Sequence, residues 1–148
     1  MNITAFDYAC KLLKYSAKTE KEIIDKLSKK KFNDKVLDSA AIKLTMDELK
    51  AHNFINDERF TKDFIQAKLE SGNGLELIKE RLLQKGIDKK LIKQSIQELD
   101  LTEEKEYLFA EKLFAKKPHK NLGNFMASKG FSESVIERLL KKIEKDPS

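Results

Sequence analysis

A six-position pattern that recurs three times along the chain limits the fold more than any other feature. It reads Ile23, Leu27, Phe32, Asn33, Val36, Leu37, then Ile78, Leu82, Ile87, Asp88, Leu91, Ile92, then Leu122, Met126, Phe131, Ser132, Val135, Ile136. The first and second occurrences are offset by 55 residues at every position, the second and third by 44. The residues change between copies, but each position keeps its physical role. The opening pair lies four residues apart and makes one apolar stripe on a helix. Gly86 and Gly130 then stand where a left-handed residue ends such a helix, and Lys31 takes that place in the first copy. An apolar anchor follows, then Asn33, Asp88 or Ser132 as an N-cap. The closing pair faces inward from a second helix.

A further helix precedes each unit. The first starts near Thr4 and carries Phe6, Ala9, Leu12 and Leu13. The second is capped by Asn56 and carries Phe60, Phe64, Ala67 and Leu69; the third is capped by Thr102 and carries Leu108, Phe109, Leu113 and Phe114. Thr19-Glu20-Lys21-Glu22 reads as a capping box. The difference between the two offsets is assigned to a long third helix in the first copy, Lys35 to about His52, with Ala40, Ala41, Leu44 and Leu49 on one face. These elements predict an all-α protein of three tandem three-helix repeats, residues 1–53, 54–101 and 102–148. Such units stack as a short curved solenoid. Its radius of gyration should exceed the roughly 15 Å of a compact globule of this length.

Composition supports the helical reading and excludes several function classes. Five Gly and two Pro are too few for a sheet protein with many tight turns. The net charge of +5 permits contact with nucleic acid without requiring it. Only Arg59, Arg81 and Arg138 could supply the bidentate fork that reads base edges, so sequence-specific DNA recognition is not suggested. Cys10 is the single cysteine, which rules out an intramolecular disulfide and fits a reducing cytoplasm. No apolar run approaches the roughly 18 residues that span a bilayer, and the N-terminus lacks a signal-peptide layout. A cytoplasmic monomer that needs no membrane is expected. His52, His119 and Cys10 are scattered and assemble no metal-ligand set. The acidic residues offer no distinct catalytic pair. No enzyme activity, cofactor or metal is expected.

The linker Phe54-Ile55-Asn56-Asp57-Glu58-Arg59-Phe60, the turns Lys85-Gly86-Ile87 and Lys129-Gly130-Phe131, and the first-helix stretch Tyr8-Ala9-Cys10-Lys11-Leu12-Leu13 resemble the RecX family of bacterial recombination regulators. The similarity covers nearly the whole chain. It implies a modulator of the RecA recombinase that lies on the filament RecA forms with single-stranded DNA. Such a protein restrains recombinase, ATPase and co-protease activities and has no catalytic residues; the alternatives are an independent helix-turn-helix-like DNA-binding protein, which the scarcity of Arg argues against, and a generic helical protein-binding adaptor. The chain departs from the family in using Lys where relatives favour Arg, and Lys is a point charge without the guanidinium fork.

Cations at the turns are the candidate contacts to filament or DNA. Lys29-Lys30-Lys31 end a helix in the first copy, Lys85, Lys89 and Lys90 flank the matching turn of the second, and Lys129 marks that of the third. Arg59 and Arg81 complete the set. Parallel stacking would line these turns along one positive edge facing phosphates or acidic loops. A solvated face and dipole-complementing helix ends are the alternative for such charges. For Asp57-Glu58-Arg59 the alternative is a helix-start acid pair with Arg59 bonded across the repeat boundary. Phe6, Phe32, Phe60, Phe64, Phe109 and Phe131 are expected in the core rather than as base-stacking platforms.

Overall fold

A computed structural model describes residues 3–117 and 120–145. Among these residues the chain forms nine α-helices and one two-stranded hairpin. They divide into two compact units. The first comprises the chain up to Phe60 together with Lys85–Ile87; the second comprises Thr61–Gln84 and the chain from Asp88 onward.

In the first unit α1 (Ala5–Tyr15), α2 (Glu20–Lys29) and α3 (Ser39–Ala51) pack on one another. Their core is Ala9, Ile23, Leu27, Met46, Leu49 and Ile55, with Cys10, Leu13, Phe32 and Ile42 packed against it. Thr4 caps α1 through Asp7 N–H, and Thr19 closes a capping box with Glu22 on α2. Both caps satisfy donors that a helix start leaves without intrahelical partners.

The third helix of this trio starts later than the repeat predicts. Strands β1 (Lys31–Phe32) and β2 (Lys35–Val36) pair antiparallel across Asn33 and Asp34, which adopt φ of 54° and 63°. Two consecutive left-handed residues make the turn that matches the twist of a hairpin. Asn33 is therefore a turn residue, and Asp38 is the cap, accepting Ala41 N–H at 2.8 Å. Lys31 is extended rather than left-handed, so this copy needs no glycine there. Val36 is 60% exposed and Leu44 72% exposed. A helix starting at Ser39 turns a different stripe inward: Ile42, Thr45, Met46 and Leu49. The hairpin also accounts for part of the unequal offsets. Ile42, Thr45, Met46 and Leu49 stand 50 residues before Ile92, Ser95, Ile96 and Leu99, five fewer than the 55 that separate Ile23 from Ile78.

Helix α4 (Asp57–Glu70) starts in the first unit, capped by Asn56, and buries Thr61, Ile65 and Leu69 in the second. The second unit continues with α5 (Leu75–Gln84), which packs on α6 (Lys89–Glu98), and then α7 (Glu103–Phe114), α8 (Leu122–Ser128) and α9 (Glu133–Lys145). One of its core clusters is Tyr107, Ala110, Phe114, Leu122, Met126, Phe131, Val135 and Leu139. Asp88, Thr102 and Ser132 cap as expected. Leu108, expected inside, is 49% exposed, because Tyr107, Ala110 and Phe114 set the inward face of α7. Ala67 likewise faces out from α4. Gly86 and Gly130 both adopt φ of 90°, the left-handed conformation expected of them. Phe131 is the one fully buried phenylalanine of the six assigned to the core; Phe6, Phe32, Phe60, Phe64 and Phe109 are half-buried.

Candidate partner-binding surface and the helix-docking turns

The two Lys-Gly turns carry the most constrained local geometry. In the second unit Gly74 N–H donates to Lys129 O at 2.7 Å, and Glu76 N–H donates to Gly130 O at 3.1 Å. The start of α5 is thus docked on the turn that ends α8. A Cβ on Gly74 would fall 2.4 Å from Gly130 O and 2.5 Å from Phe131 N, so only glycine allows this approach. In the first unit Thr19 Oγ1 donates to Lys85 O at 2.6 Å, and a Cβ on Gly86 would lie 2.4 Å from Lys21 Cβ. The start of α2 docks on the Lys85-Gly86 turn in the same manner. In the second unit the joint couples backbone donors at one helix start to orphan carbonyls at another helix end; in the first it is the Thr19 hydroxyl that meets the carbonyl.

A carboxylate completes each joint. Asp57 Oδ1 accepts Glu20 N–H, the first of α2, at 2.9 Å. Burial pushes the Asp57 carboxyl above its ordinary value; the Glu20 N–H bond opposes that shift and the Glu20 carboxylate adds to it. In the second unit Glu106, 6% exposed, accepts Ser132 N–H at 3.3 Å and also bonds the Leu75 N–H that starts α5. Burial again raises its pKa, against the two N–H groups and Lys79 and with help from Glu76. Glu106 is not singled out by sequence pattern. Glu20 also pairs with Lys50 at 2.5 Å.

The predicted contact cations separate into three environments. Lys85 is held: its ammonium pairs with Glu22 at 3.1 Å and lies 5.9 Å from the Phe60 ring. Burial tends to raise the pKa of Glu22, but Thr19 N–H and Lys85 outweigh it and leave the carboxyl below its usual value. Lys30 and Lys129 sit against rings, 5.4 Å from the Tyr8 centroid and 5.6 Å from that of Phe125. Lys29, Lys31, Arg81, Lys89 and Lys90 are exposed and meet no ion-pair partner among the described residues. Lys29, Lys30, Lys31, Arg59 and Lys85 belong to the first unit; Arg81, Lys89, Lys90 and Lys129 belong to the second.

The linker motif is used structurally at most positions. Ile55 is buried, Asn56 caps α4, Asp57 caps α2, and Arg59 Nη2 donates to Asn53 O at 3.4 Å beyond the end of α3. Phe54 is the exception, 47% exposed and stacked on His52 at 5.4 Å. With Cys10, Leu13, Lys14, Asn53 and Arg59 it lines a cleft of about 360 Å³. Burial raises the Cys10 pKa above its ordinary value, with Asp7 and Glu48 adding to the shift and Lys14 opposing it. No group of three His, Cys, Asp or Glu side chains converges among the described residues. His119, read as a solvated loop residue, lies outside the described residues. No helix among them is long and apolar enough to cross a membrane.

Comparison with known proteins places this architecture. The family model for the first three-helix domain of RecX matches residues 5–44, and that for the second matches residues 56–96. The regulatory protein RecX of Clostridium beijerinckii is 35% identical over 146 residues, covering 91% of this chain and 66% of the relative. That of Finegoldia magna is 33% identical over 147 residues, covering 91% and 69%. That of Streptococcus agalactiae is 31% identical, and this chain spans 52% of its length. The chain thus spans from about half to about two thirds of these relatives. In structure it resembles RecX from Lactobacillus salivarius, with a TM-score of 0.72, 20% identity and coverage of 95% and 94% of the two chains. The matched helical trios and the identity with RecX proteins along most of its length show that this chain belongs to the RecX family.

Proposed function

We propose that this chain is a non-enzymatic regulator that binds the filament RecA forms on single-stranded DNA and restrains its recombinase, ATPase and co-protease activities. The observation that carries the reading is the alignment of nine tenths of the chain with proteins named regulatory protein RecX. The helical trios support it, because a modular array gains affinity from engaging several sites of a repetitive partner at once. The exposed Lys29 and Lys31 in the first unit, with Arg81, Lys89 and Lys90 in the second, supply cations that folding leaves unpaired. Such charges suit phosphates or acidic protein loops. The protein acts as a cytoplasmic monomer on this reading.

The test is RecA ATPase turnover on single-stranded DNA with the purified full chain added. Turnover should fall with dose. Unchanged turnover at several-fold molar excess would sink the proposal. Lys29→Glu with Lys31→Glu, both on exposed positions, should raise the concentration needed for half-inhibition about tenfold at low salt, an effect that shrinks as salt screens it. Equal potency of this variant would remove Lys29 and Lys31 from the contact. Lys85 is unsuited to such a test, since reversing it would place a carboxylate against Glu22.

A further inference from the structure

Helix α6 carries its charges against its own dipole. Lys89 and Lys90 occupy its first turn, beside the N-cap Asp88 whose carboxylate accepts Leu91 N–H, and its last turn contains no base. In α2 and α9 the order is the favourable one, acids first and bases last. Cations at a helix start are repelled by the N-terminal end of the dipole, and neither Lys89 nor Lys90 forms an ion pair with the Asp88 cap. Neither Lys89 nor Lys93 has an ion-pair partner among the described residues.

These lysines rim a groove. Lys79, Leu83, Lys89, Ile92, Lys93, Ile96 and Gln97 enclose about 450 Å³ between α5 and α6, entirely within the second unit. Leu83 is 41% exposed, although it is a large aliphatic residue in a charged, solvent-facing region. The floor is aliphatic and the rim cationic. No aromatic ring lines it, so it offers no platform on which a nucleobase would stack. A phosphate backbone would use the lysines but leave Leu83 and Ile96 without a partner. A peptide with both aliphatic and carboxylate side chains satisfies both halves of the surface.

We propose that the α5–α6 groove is a docking site for an acidic amphipathic polypeptide segment. Its aliphatic side chains rest on Leu83 and Ile96, above the buried Ile92, and its carboxylates meet Lys89 and Lys93; Lys79 already pairs with Glu76 at 3.7 Å. Grooves of this form receive amphipathic helices in other proteins. The assignment concerns partner chemistry alone. Its test uses neither recombinase nor filament, so it fails or survives separately from the regulatory reading.

The experiment is a methyl and amide NMR titration of the full chain with a short synthetic amphipathic helix of Glu and Leu. A Lys/Leu peptide of the same pattern and oligothymidylate serve as comparisons. The expected result is binding in the range of about 10–100 μM, with the largest shifts at Leu83, Ile92 and Ile96. Lys89→Glu with Lys93→Glu should weaken it at least tenfold, while the melting temperature holds or rises because the dipole at the start of α6 is now complemented. Leu83→Gln, at an exposed position, should weaken binding without touching charge. No shift at about 1 mM peptide, shifts centred elsewhere, equal binding of the Lys/Leu peptide, or oligothymidylate occupying the groove more tightly would each overturn the proposal.

Discussion

Replacing Gly74 by alanine tests the docking joint directly. The added methyl would lie 2.4 Å from Gly130 O and 2.5 Å from Phe131 N, both backbone atoms that no side-chain rotation can move aside. Relief requires the start of α5 to withdraw, which breaks the bonds from Gly74 N–H to Lys129 O and from Glu76 N–H to Gly130 O. A hydrogen bond contributes about 1 kcal/mol net, and a donor left buried and unpaired costs about 1–3 kcal/mol. Two such losses predict a destabilisation of roughly 2–5 kcal/mol, a large share of a typical total of about 5–15 kcal/mol. Gly74 O also accepts the first intrahelical bond of α5, from Ile78 N–H, so the residue stands at an N-cap, where alanine alone costs about 1 kcal/mol. Gly74→Ser separates the two causes, since serine caps well but carries the same Cβ. Urea unfolding of both variants is the assay. At a slope of about 1.5 kcal/mol/M, a loss of about 3 kcal/mol lowers the midpoint by about 2 M. Serine should remain damaging, milder than alanine by only the capping share of about 1 kcal/mol. A Gly74→Ser protein within about 0.5 kcal/mol of the parent would refute the steric argument and leave only capping.

Asp34→Gly should stabilise the first unit by about 0.5 kcal/mol, read from thermal unfolding, because Asp34 holds φ of 63° in the hairpin turn and glycine adopts that conformation without a Cβ penalty. Loss of stability would show that the Asp34 side chain contributes more than its backbone strain costs. Glu106 supplies a pH test: its folded pKa is raised above the 4.5 reference, so its ionised form is penalised above the folded pKa and that penalty fades as pH falls toward 4.5. The parent should therefore gain stability relative to Glu106→Gln between pH 7 and pH 5 in paired urea titrations, and a difference independent of pH would contradict the burial of an ionisable carboxyl at this joint.

Sequence pattern located the helices well where a local rule decided them. Thr4, Thr19, Asn56, Asp88, Thr102 and Ser132 all cap as their residue types suggest. The first copy misled because it contains two residues suited to capping, Asn33 and Asp38. The outcome turned on Asn33-Asp34 accepting left-handed φ as a pair, with Lys31-Phe32 and Lys35-Val36 ready to bond across them. Sliding the repeat in two pieces, with the second five residues shorter, would have exposed the hairpin. The docking joints had no such local trace. Gly74 beside Gly72 reads as a loop, and its reason for being glycine lies in a backbone 56 residues away, at Gly130. Glu106 likewise reads as an acid favouring a helix start; its burial is fixed by α5 and α9, which no window around it contains.

The Lys-Gly turns show that a residue placed by the repeat can serve through its main chain as well as its charge. Their lysines suggested a positive edge, yet the chain uses their main-chain carbonyls: Lys85 O for Thr19, Lys129 O for Gly74. A carbonyl joint of this kind is indifferent to side-chain charge, so a lysine at the turn is free to do something else. At Lys85 that something is a half-buried pair with Glu22, which ties the ammonium to the same joint as the carbonyl. At Lys29, Lys31, Lys89 and Lys90 no such use is found among the described residues, and at the start of α6 the charge opposes the helix dipole. A partner of opposite charge would recover most from cations that folding leaves unsatisfied, because no existing pair has to be broken to reach them. The search for a binding surface therefore belongs with the lysines that the fold does not need, rather than with those that best fit the repeat.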